Sequence, residues 1–566
     1  MKYRKNKRIY SFDTEDDSCG NLTLFCGYDG KKFDVFDIKD FTNEVEMRLQ
    51  IISHMESVTA DDFFAHNLEY DLNNIFGIKF YKELELFYSG RLIFAKWRDR
   101  EKLFLDSFNL SFAPLKSLGK IVGKEKIEVE GEFYNADYCK RDAEIVHDYV
   151  KKFRSGIKSE FKLQSGFTLA GTSQKIFLKL FDEFNLGGKN VEPELLNAYY
   201  GGRCEAFHIG EVENIFEIDV NSMYPFVMES CLFPTGEHFE SDEPLTDLYV
   251  AHVKVTVKEE TKFPILPYRS DKLFFPTGEF ETWVTSVELQ KAQEEGQIEK
   301  IKFIKTFNFT EKDRPFQEFV SEFYAKRKIA KETGDDFNSN LYKLILNSCY
   351  GRFCLHKGMN VISGADNDNE DFTFKEFLTD ELSLFDYKIE SDKNKNYAVG
   401  LFVTAYARVK LYEIIKKVVD NGFMPLYCDT DSCYFTIDNN TNHRCISDVR
   451  SDVSSRFNID FNLGGLSLDY YPKGNFINAK VYTLEKEDGG DKIKTKGIPE
   501  KHRKEFIETG KVTYKRPVKL KPMLRGVKGF TENEWIDFSV ERHGVYSKRT
   551  VFEDGSTKPL ILKPGD

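Results

Sequence analysis

Ten cysteines occur in the 566 residues, yet no two of them form a Cys-x-x-Cys pair. That argues against a zinc module or a disulfide framework and for a reducing compartment. No run of eighteen apolar residues exists, so no membrane span is expected. The basic start, Met1 to Arg8, runs through Ile9-Tyr10-Ser11-Phe12 into acidic residues and lacks the apolar stretch of a secretory signal. Internal repeats, long low-complexity segments and Gly/Ser linkers are also missing. An excess of positive charge is absent too, with a net charge of −12. What remains is an intracellular, soluble chain long enough for several domains. Net charge is a poor guide to partners here, because the charges are segregated and phosphate contacts are local. Lys501 to Lys528 carries ten Lys/Arg against Glu505 and Glu508, whereas Asp366 to Asp392 holds ten acidic residues against Lys375 and Lys388.

The segment Leu426-Tyr427-Cys428-Asp429-Thr430-Asp431-Ser432 is the most informative. It sets two carboxylates two residues apart in an apolar run that Tyr434 and Phe435 continue. On a strand or tight hairpin that spacing aims both side chains to one side. Carboxylates so close repel, and a divalent cation with hard oxygen ligands is the natural compensation.

To about residue 150, short β-type runs (8–12, 22–28 and 103–106) alternate with helical stretches near 43–55 and 135–153, an α/β pattern. Residues 160–197 read as helices. Strand-like runs flank Asp219 and occupy 248–257. Helical pattern covers 316–329, 338–350 and 401–419, with Gly351 as the stop of the second of these. The acidic stretch 364–396 reads as a hairpin-and-loop insertion.

The N-terminal part holds its own acidic set. Asp13 and Glu15 stand at i, i+2 near a strand, Asn67-Leu68-Glu69-Tyr70-Asp71 follows an apolar run and His66, and Tyr138 and Asp142 share a helical face. Each box alone fits a capped loop or a solvated charge. Together, Asp13, Glu15, Asp71 and Asp142 suit a two-metal phosphodiester hydrolase, in which one ion activates water and the other stabilises the leaving oxygen. Tyr138 is placed to orient the attacking water.

These boxes resemble, in order, those of the DEDD-type 3′–5′ proofreading exonucleases in the variant with tyrosine in the third box. The rest of the chain resembles family B DNA polymerases. Tyr199-x-Gly201-Gly202 is similar to the linker motif between the two halves. Asp219-Val220-Asn221-Ser222-Met223-Tyr224-Pro225 is similar to motif A, Lys343 to Gly351 to motif B, Tyr427 to Ser432 to motif C, and Lys480-Val481-Tyr482 to the Lys-x-Tyr motif. The resemblance implies two Mg²⁺ ions per active site, with Mn²⁺ able to substitute. Asp219, Val220 and Asp429 would be metal ligands for synthesis with Asp431 in support, and Asp13, Glu15 and Asp142 those for editing. It further implies triphosphate contacts from Lys343 and Asn347, with Lys326 or Arg327 as a second cation. Tyr224 would exclude a ribose 2′-hydroxyl and Tyr350 would stack beside the nascent pair. Tyr199, Gly201, Gly202, Asn67, Lys480 and Tyr482 would meet DNA. So would Ser107-Phe108, for which Ser117-Leu118-x-x-Ile121 is the alternative.

The implied fold is α/β and α+β, multidomain: a ribonuclease-H-like exonuclease domain (1–185), then a right-hand polymerase with two insertions. Its parts are palm (186–230 and 398–512), fingers (314–353), thumb (513–566) and insertions at 231–313 and 354–397. Insertions at those two places resemble the terminal-protein regions of protein-primed polymerases of linear-genome phages, adenovirus-type viruses and linear plasmids. The expected partners are DNA template and primer strand, deoxynucleoside triphosphates and a terminal protein, with the chain a monomer or a heterodimer with that protein. The expected place is the cytoplasm of an infected bacterium, or an organelle carrying a linear plasmid. A polymerase with a nucleic-acid primer, or none, is the alternative. The acidic residues Asp366, Asp368, Glu370 and Asp371 are expected to face solvent or a basic terminal protein.

Overall fold

The computed structural model describes residues 8–17, 20–81, 83–98, 100–128, 135–355, 359–364, 372–377, 382–387, 393–437, 446–517, 535–541 and 546–564. Among them, three larger sheets with helices packed on them form the expected α/β and α+β multidomain fold.

In the N-terminal sheet, Ile9–Asp16 pairs antiparallel with Leu22–Tyr28 and parallel with Asp62–Ala65, which in turn runs parallel to Leu103–Asp106. Helix Ala136–Phe161 packs across it. The Asn135 side chain caps that helix by accepting from the Tyr138 N–H, and Cys139, Ala143, Val146, Val150, Phe153 and Ile157 form one buried stripe at helical spacing. Segment 354–397, expected as the second insertion, supplies three strands among the described residues, Met359–Gly364, Leu382–Tyr387 and Phe372–Phe377. These extend the same sheet, because Asn360 to Ile362 pair with Leu86 to Tyr88. Asp366, Asp368, Glu370 and Asp371 lie outside the described residues, as do Lys519, Lys521, Arg525 and Lys528 of the basic stretch.

The second sheet runs in the order Asp491–Thr495, Val481–Glu485, Leu466–Asn478, Gly210–Val220, Ser432–Thr436, Met424–Asp429, Cys204–Ala206. Helix Tyr397–Asp420 contacts its Met424–Asp429 and Ser432–Thr436 strands and is buried on nearly every side, as befits a core helix. Helices Gln317–Glu332 and Asp336–Ser348 pack against each other. In segment 231–313, expected as the first insertion, Leu248–Val257 lies between Ile298–Phe309 and Thr277–Thr285. Ile561–Leu562 returns to pair with Thr277 and Gly278, so residues expected in a thumb run back across this insertion.

Two sequence expectations are corrected. Residues 160–197 hold one helix after Phe161, Leu169–Leu180, and a short 3-10 turn, Pro193–Ala198. Between them Asn185, Gly188 and Asn190 adopt left-handed backbone (φ 50°, 84° and 52°), which breaks helical periodicity. Gly351 is not a left-handed stop either. Helix Asp336–Ser348 passes into a 3-10 turn, Tyr350–Arg352, that carries Gly351 within it.

Candidate active sites

In the N-terminal sheet, strand alternation puts Asp13 and Glu15 on one face. Thr14 is turned the other way: its N–H and hydroxyl both donate to Asp71 Oδ1, at 3.0 and 2.8 Å. Asn74 donates to the Thr14 hydroxyl in turn. Asp142 comes from helix Ala136–Phe161, anchored on the sheet by the Ser11 hydroxyl donating to the Ala143 carbonyl. Burial, then the charges of Asp71, Asp142 and Glu15, pushes the Asp13 carboxyl well above the ordinary range. Burial and Asp142 raise Glu15 to about 8. Asp71 and Asp142 also lie above the ordinary range through burial.

Four carboxyls this close, three of them buried and Asp13 half-buried, call for positive charge. Lys126, from the loop before the helix, supplies part of it through an ion pair with Asp142, and its ammonium lies 4.5 Å from the Tyr138 ring centroid. Three carboxylate oxygens (Asp13 Oδ2, Asp71 Oδ2 and Asp142 Oδ1) are buried with no hydrogen-bond partner among the described residues. That donor set fits a divalent cation.

Asn67 (φ 65°) is exposed at the rim, with its N–H on Asp106 Oδ1. Ser107 is buried against His66 Nδ1, and Phe108 lies half-exposed under the Arg91 guanidinium. The alternative pair sits on helix Leu115–Ile121, where Leu118 is core. Ser107-Phe108 is therefore the pair beside Asn67.

In the second sheet, Asp219 lies opposite Ser432, and Asp429 lies opposite Ser432 on the other side. Asp429 and Asp431 do not share a strand. Thr430 (φ 62°) and Asp431 form a two-residue turn, so the turn rather than strand alternation brings them together. The Val220 N–H donates to the Asp431 carbonyl at 2.9 Å, tying this turn to the strand that carries Asp219. Burial, then Asp431 and Glu217, raises Asp219 to about 7, and burial raises Asp431 to about 6. Lys480 (φ 62°) donates to both Asp429 oxygens, at 2.8 and 2.7 Å. A cleft of about 520 Å³ opens here between Asp429, Asp431, Lys480, Lys492, Lys494 and Lys496. Tyr482 lies beneath it, 4% exposed, its hydroxyl on that of Tyr434.

Gly202 touches the turn from behind. A Cβ there would stand 2.7 Å from Thr430 Oγ1. Before it, the carbonyls of Tyr200 and Gly201 accept from Arg408, whose guanidinium is buried and paired with Glu288 of the first insertion at 2.8 Å. Tyr199 is half-buried at the end of the 3-10 turn Pro193–Ala198. Tyr224 and Tyr350 lie side by side, ring centroids 4.6 Å apart. Lys343 and Asn347 are exposed one turn apart on helix Asp336–Ser348. Neighbouring Lys326 and Arg327 diverge: Lys326 pairs with Glu160 and Glu322, whereas Arg327 donates to the Ser222 hydroxyl at 3.4 Å, three residues after Asp219 in the chain.

Sequence reasoning missed Lys126, Glu217 and Lys492. Glu217, two residues before Asp219, accepts from Lys492 and from the Tyr434 and Tyr471 hydroxyls. Its i, i+2 spacing to Asp219 was a visible signal. Lys126, in an irregular loop, offered none.

Residues 113–422, more than half of the chain, match the family model described as DNA polymerase type B, organellar and viral. The chain is 29% identical over 399 residues to the DNA-directed DNA polymerase of Enterobacteria phage PRD1, covering 65% of this chain and 66% of that protein. It is 26% identical over 498 residues to a probable DNA polymerase of Podospora anserina, covering 75% of this chain and 39% of that one. The chain thus spans two thirds or less of the length of these relatives. Its fold is similar to that of phi29 DNA polymerase complexed with primer-template DNA, with a TM-score of 0.69 at 18% identity, covering 95% of this chain and all of that one. The chain belongs to the organellar and viral type B DNA polymerases.

Proposed function

We propose that this chain is a protein-primed, DNA-directed DNA polymerase with a 3′–5′ exonuclease, replicating a linear viral or plasmid DNA. The observation that carries the reading is the placement of Asp219 and Asp429 on either side of Ser432, with Asp431 in the adjoining turn and Asp429 and Asp431 lining a lysine-rich cleft. The relatives support it: the PRD1 protein is a DNA-directed DNA polymerase, and the phi29 enzyme is seen with primer-template DNA and incoming nucleotide.

In this reading Asp219, Val220 and Asp429 would hold Mg²⁺ for synthesis and Asp13, Glu15 and Asp142 would do so for editing, two ions at each site. Bound there, the ions neutralise developing phosphoryl charge and lower the barrier to in-line displacement. The chain's own groups do the positioning. Arg327 and Lys343 receive the triphosphate, Arg327 being favoured over Lys326, whose ammonium is engaged by two glutamates. Tyr224, braced by Tyr350, closes the space below the sugar. Lys480 moves from Asp429 to the primer terminus, and the buried Tyr482 supports its strand. At the editing centre Tyr138 orients water, while the ammonium of Lys126 offsets part of the burial that pushes Asp142 up. DNA strand ends reach that centre past Asn67 and Phe108.

Template and primer DNA, deoxynucleoside triphosphates and a terminal protein are the proposed partners, in the cytoplasm of an infected bacterium, in keeping with the phage relatives. Among the described residues no helix is long and apolar enough to cross a membrane. Primer extension tests the core of the reading: Asp429→Asn should abolish it, and an active variant overturns the assignment. Asp13→Ala should end degradation of single-stranded DNA while synthesis continues. Nucleotidylation of a purified terminal protein decides the mode of priming.

A further inference from the structure

The editing centre contains a group that neither the carboxylate set nor the phosphodiester chemistry uses. Cys139 follows Tyr138 on helix Ala136–Phe161 and is fully buried against the strand that carries Asp13 and Glu15. Its Sγ lies 3.3 Å from the Asp13 carbonyl oxygen. More telling, one carboxylate oxygen of Asp13, one of Glu15 and the Cys139 sulfur all lie within 4.8 Å of one another. A single cation can touch three atoms so spaced. Two further side chains support a cation-binding role independently: Asp71 and Asp142 are 1% and 3% exposed, and each has a buried oxygen without a hydrogen-bond partner among the described residues.

Magnesium prefers oxygen ligands, whereas a thiolate selects softer ions. We infer that Asp13, Glu15 and Cys139 form a binding site for a thiophilic divalent cation of the zinc or cadmium class, which competes with magnesium and silences editing. On binding, a metal–sulfur bond forms, the thiol proton passes to solvent, and no redox change is involved. The three side chains around Ser432 are all carboxylates, and the sulfur of Cys204, near Asp429, is engaged by the Tyr427 hydroxyl at 3.1 Å, so the effect falls on editing. The inference rests on the exonuclease reading for its consequence, but the metal site can be tested without it.

Cadmium is the probe, because its thiolate complexes absorb in the ultraviolet while the free ion does not. Titrated into the full chain, Cd²⁺ should give a saturable charge-transfer band that Cys139→Ser and Asp13→Asn each abolish. Cys26→Ser, which removes the neighbouring thiol, and Cys204→Ser, near Asp429, should keep it. Circular dichroism checks folding, and should Cys139→Ser fail to fold, Asp13→Asn decides the matter. A band that survives in Asp13→Asn, or that disappears with Cys26 or Cys204 instead, overturns the site. At fixed Mg²⁺, Cd²⁺ should block end-trimming, and Cys139→Ser should need at least about tenfold more of it, the scale of loss for removing a metal-supporting group. An intact band without exonuclease activity would refute the editing reading alone, whereas editing without the band would refute only this site.

Discussion

Replacing Gly202 by alanine tests whether the Asp429–Asp431 turn must sit where it does. The added Cβ would stand 2.7 Å from Thr430 Oγ1, 2.9 Å from its Cγ2 and 3.0 Å from its Cβ, where ordinary contact begins near 3.4 Å. Thr430 must therefore retreat by roughly 0.7 Å, and overpacking of this kind costs about 1–3 kcal/mol. Retreat is resisted, because the Thr430 N–H is held by the Arg203 carbonyl at 2.7 Å and its hydroxyl donates to Asp429 Oδ1 at 3.0 Å. The shift passes directly to both carboxylates. Misplacing reacting groups by about 1 Å costs on the order of 10²-fold in rate, so Gly202→Ala should slow primer extension by roughly 10- to 100-fold. Degradation of single-stranded DNA should be unaffected, since Asp13 lies in the other sheet and Asp142 on the helix packed across it. Thr430→Ala removes two of the three clashing atoms but also loses the bond to Asp429, so alone it should slow extension too. Combined with Gly202→Ala, its effect should be clearly less than additive. Additive losses, or wild-type extension by Gly202→Ala, would refute the steric account.

The carboxylate cluster around Asp13 and Glu15 should make the metal-free protein less stable as pH rises from about 4.5 to 8. Glu15 titrates at about 8 in the folded chain against an ordinary 4.5, so the stability present at low pH is lost as pH rises toward 8. Thermal unfolding in chelator should show that decline, Mg²⁺ should reverse it, and Glu15→Gln should flatten it. Lys126→Ala leaves buried Asp142 without its cation and should reduce exonuclease activity by at least about tenfold while primer extension is kept, as measured on one preparation. Arg327→Ala should raise the KM for nucleotides at least about tenfold, whereas Lys326→Ala, whose ion pairs are partly exposed, should change stability by less than about 1 kcal/mol and leave KM nearly as it was.

The strands at 22–28, 103–106 and 248–257 were legible to the residue because their apolar residues and bounding turns are local features. The carboxylate boxes were equally plain, since each is a short contiguous motif. What the sequence hid depends on distant partners. Nothing around Asn360 indicates that its strand will pair with Tyr88, and nothing around Lys126 that Asp142 will face it. Glycine in Tyr350-Gly351 looked like a helix stop, but the backbone there takes ordinary right-handed values because a tighter turn continues the helix. Lys326 and Arg327 could not be told apart on paper. One residue is 100° of helix, and that rotation turns one side chain to Glu160 and the other to Ser222.

The Arg408–Glu288 contact bears on how such a chain can be shortened or lengthened. Glu288 belongs to a segment that looks like an optional elaboration, yet its carboxylate neutralises a cation enclosed by the core helix and by the peptide that precedes Gly202. Excising residues 231–313 would strand that guanidinium in a dry interior, at a cost of about 3–5 kcal/mol. A viable deletion must remove the arginine as well, and with it the clamp on Tyr200 and Gly201. The elaboration is thus built into the frame of the enzyme, and trimmed descendants should show paired losses at 288 and 408 rather than either one alone.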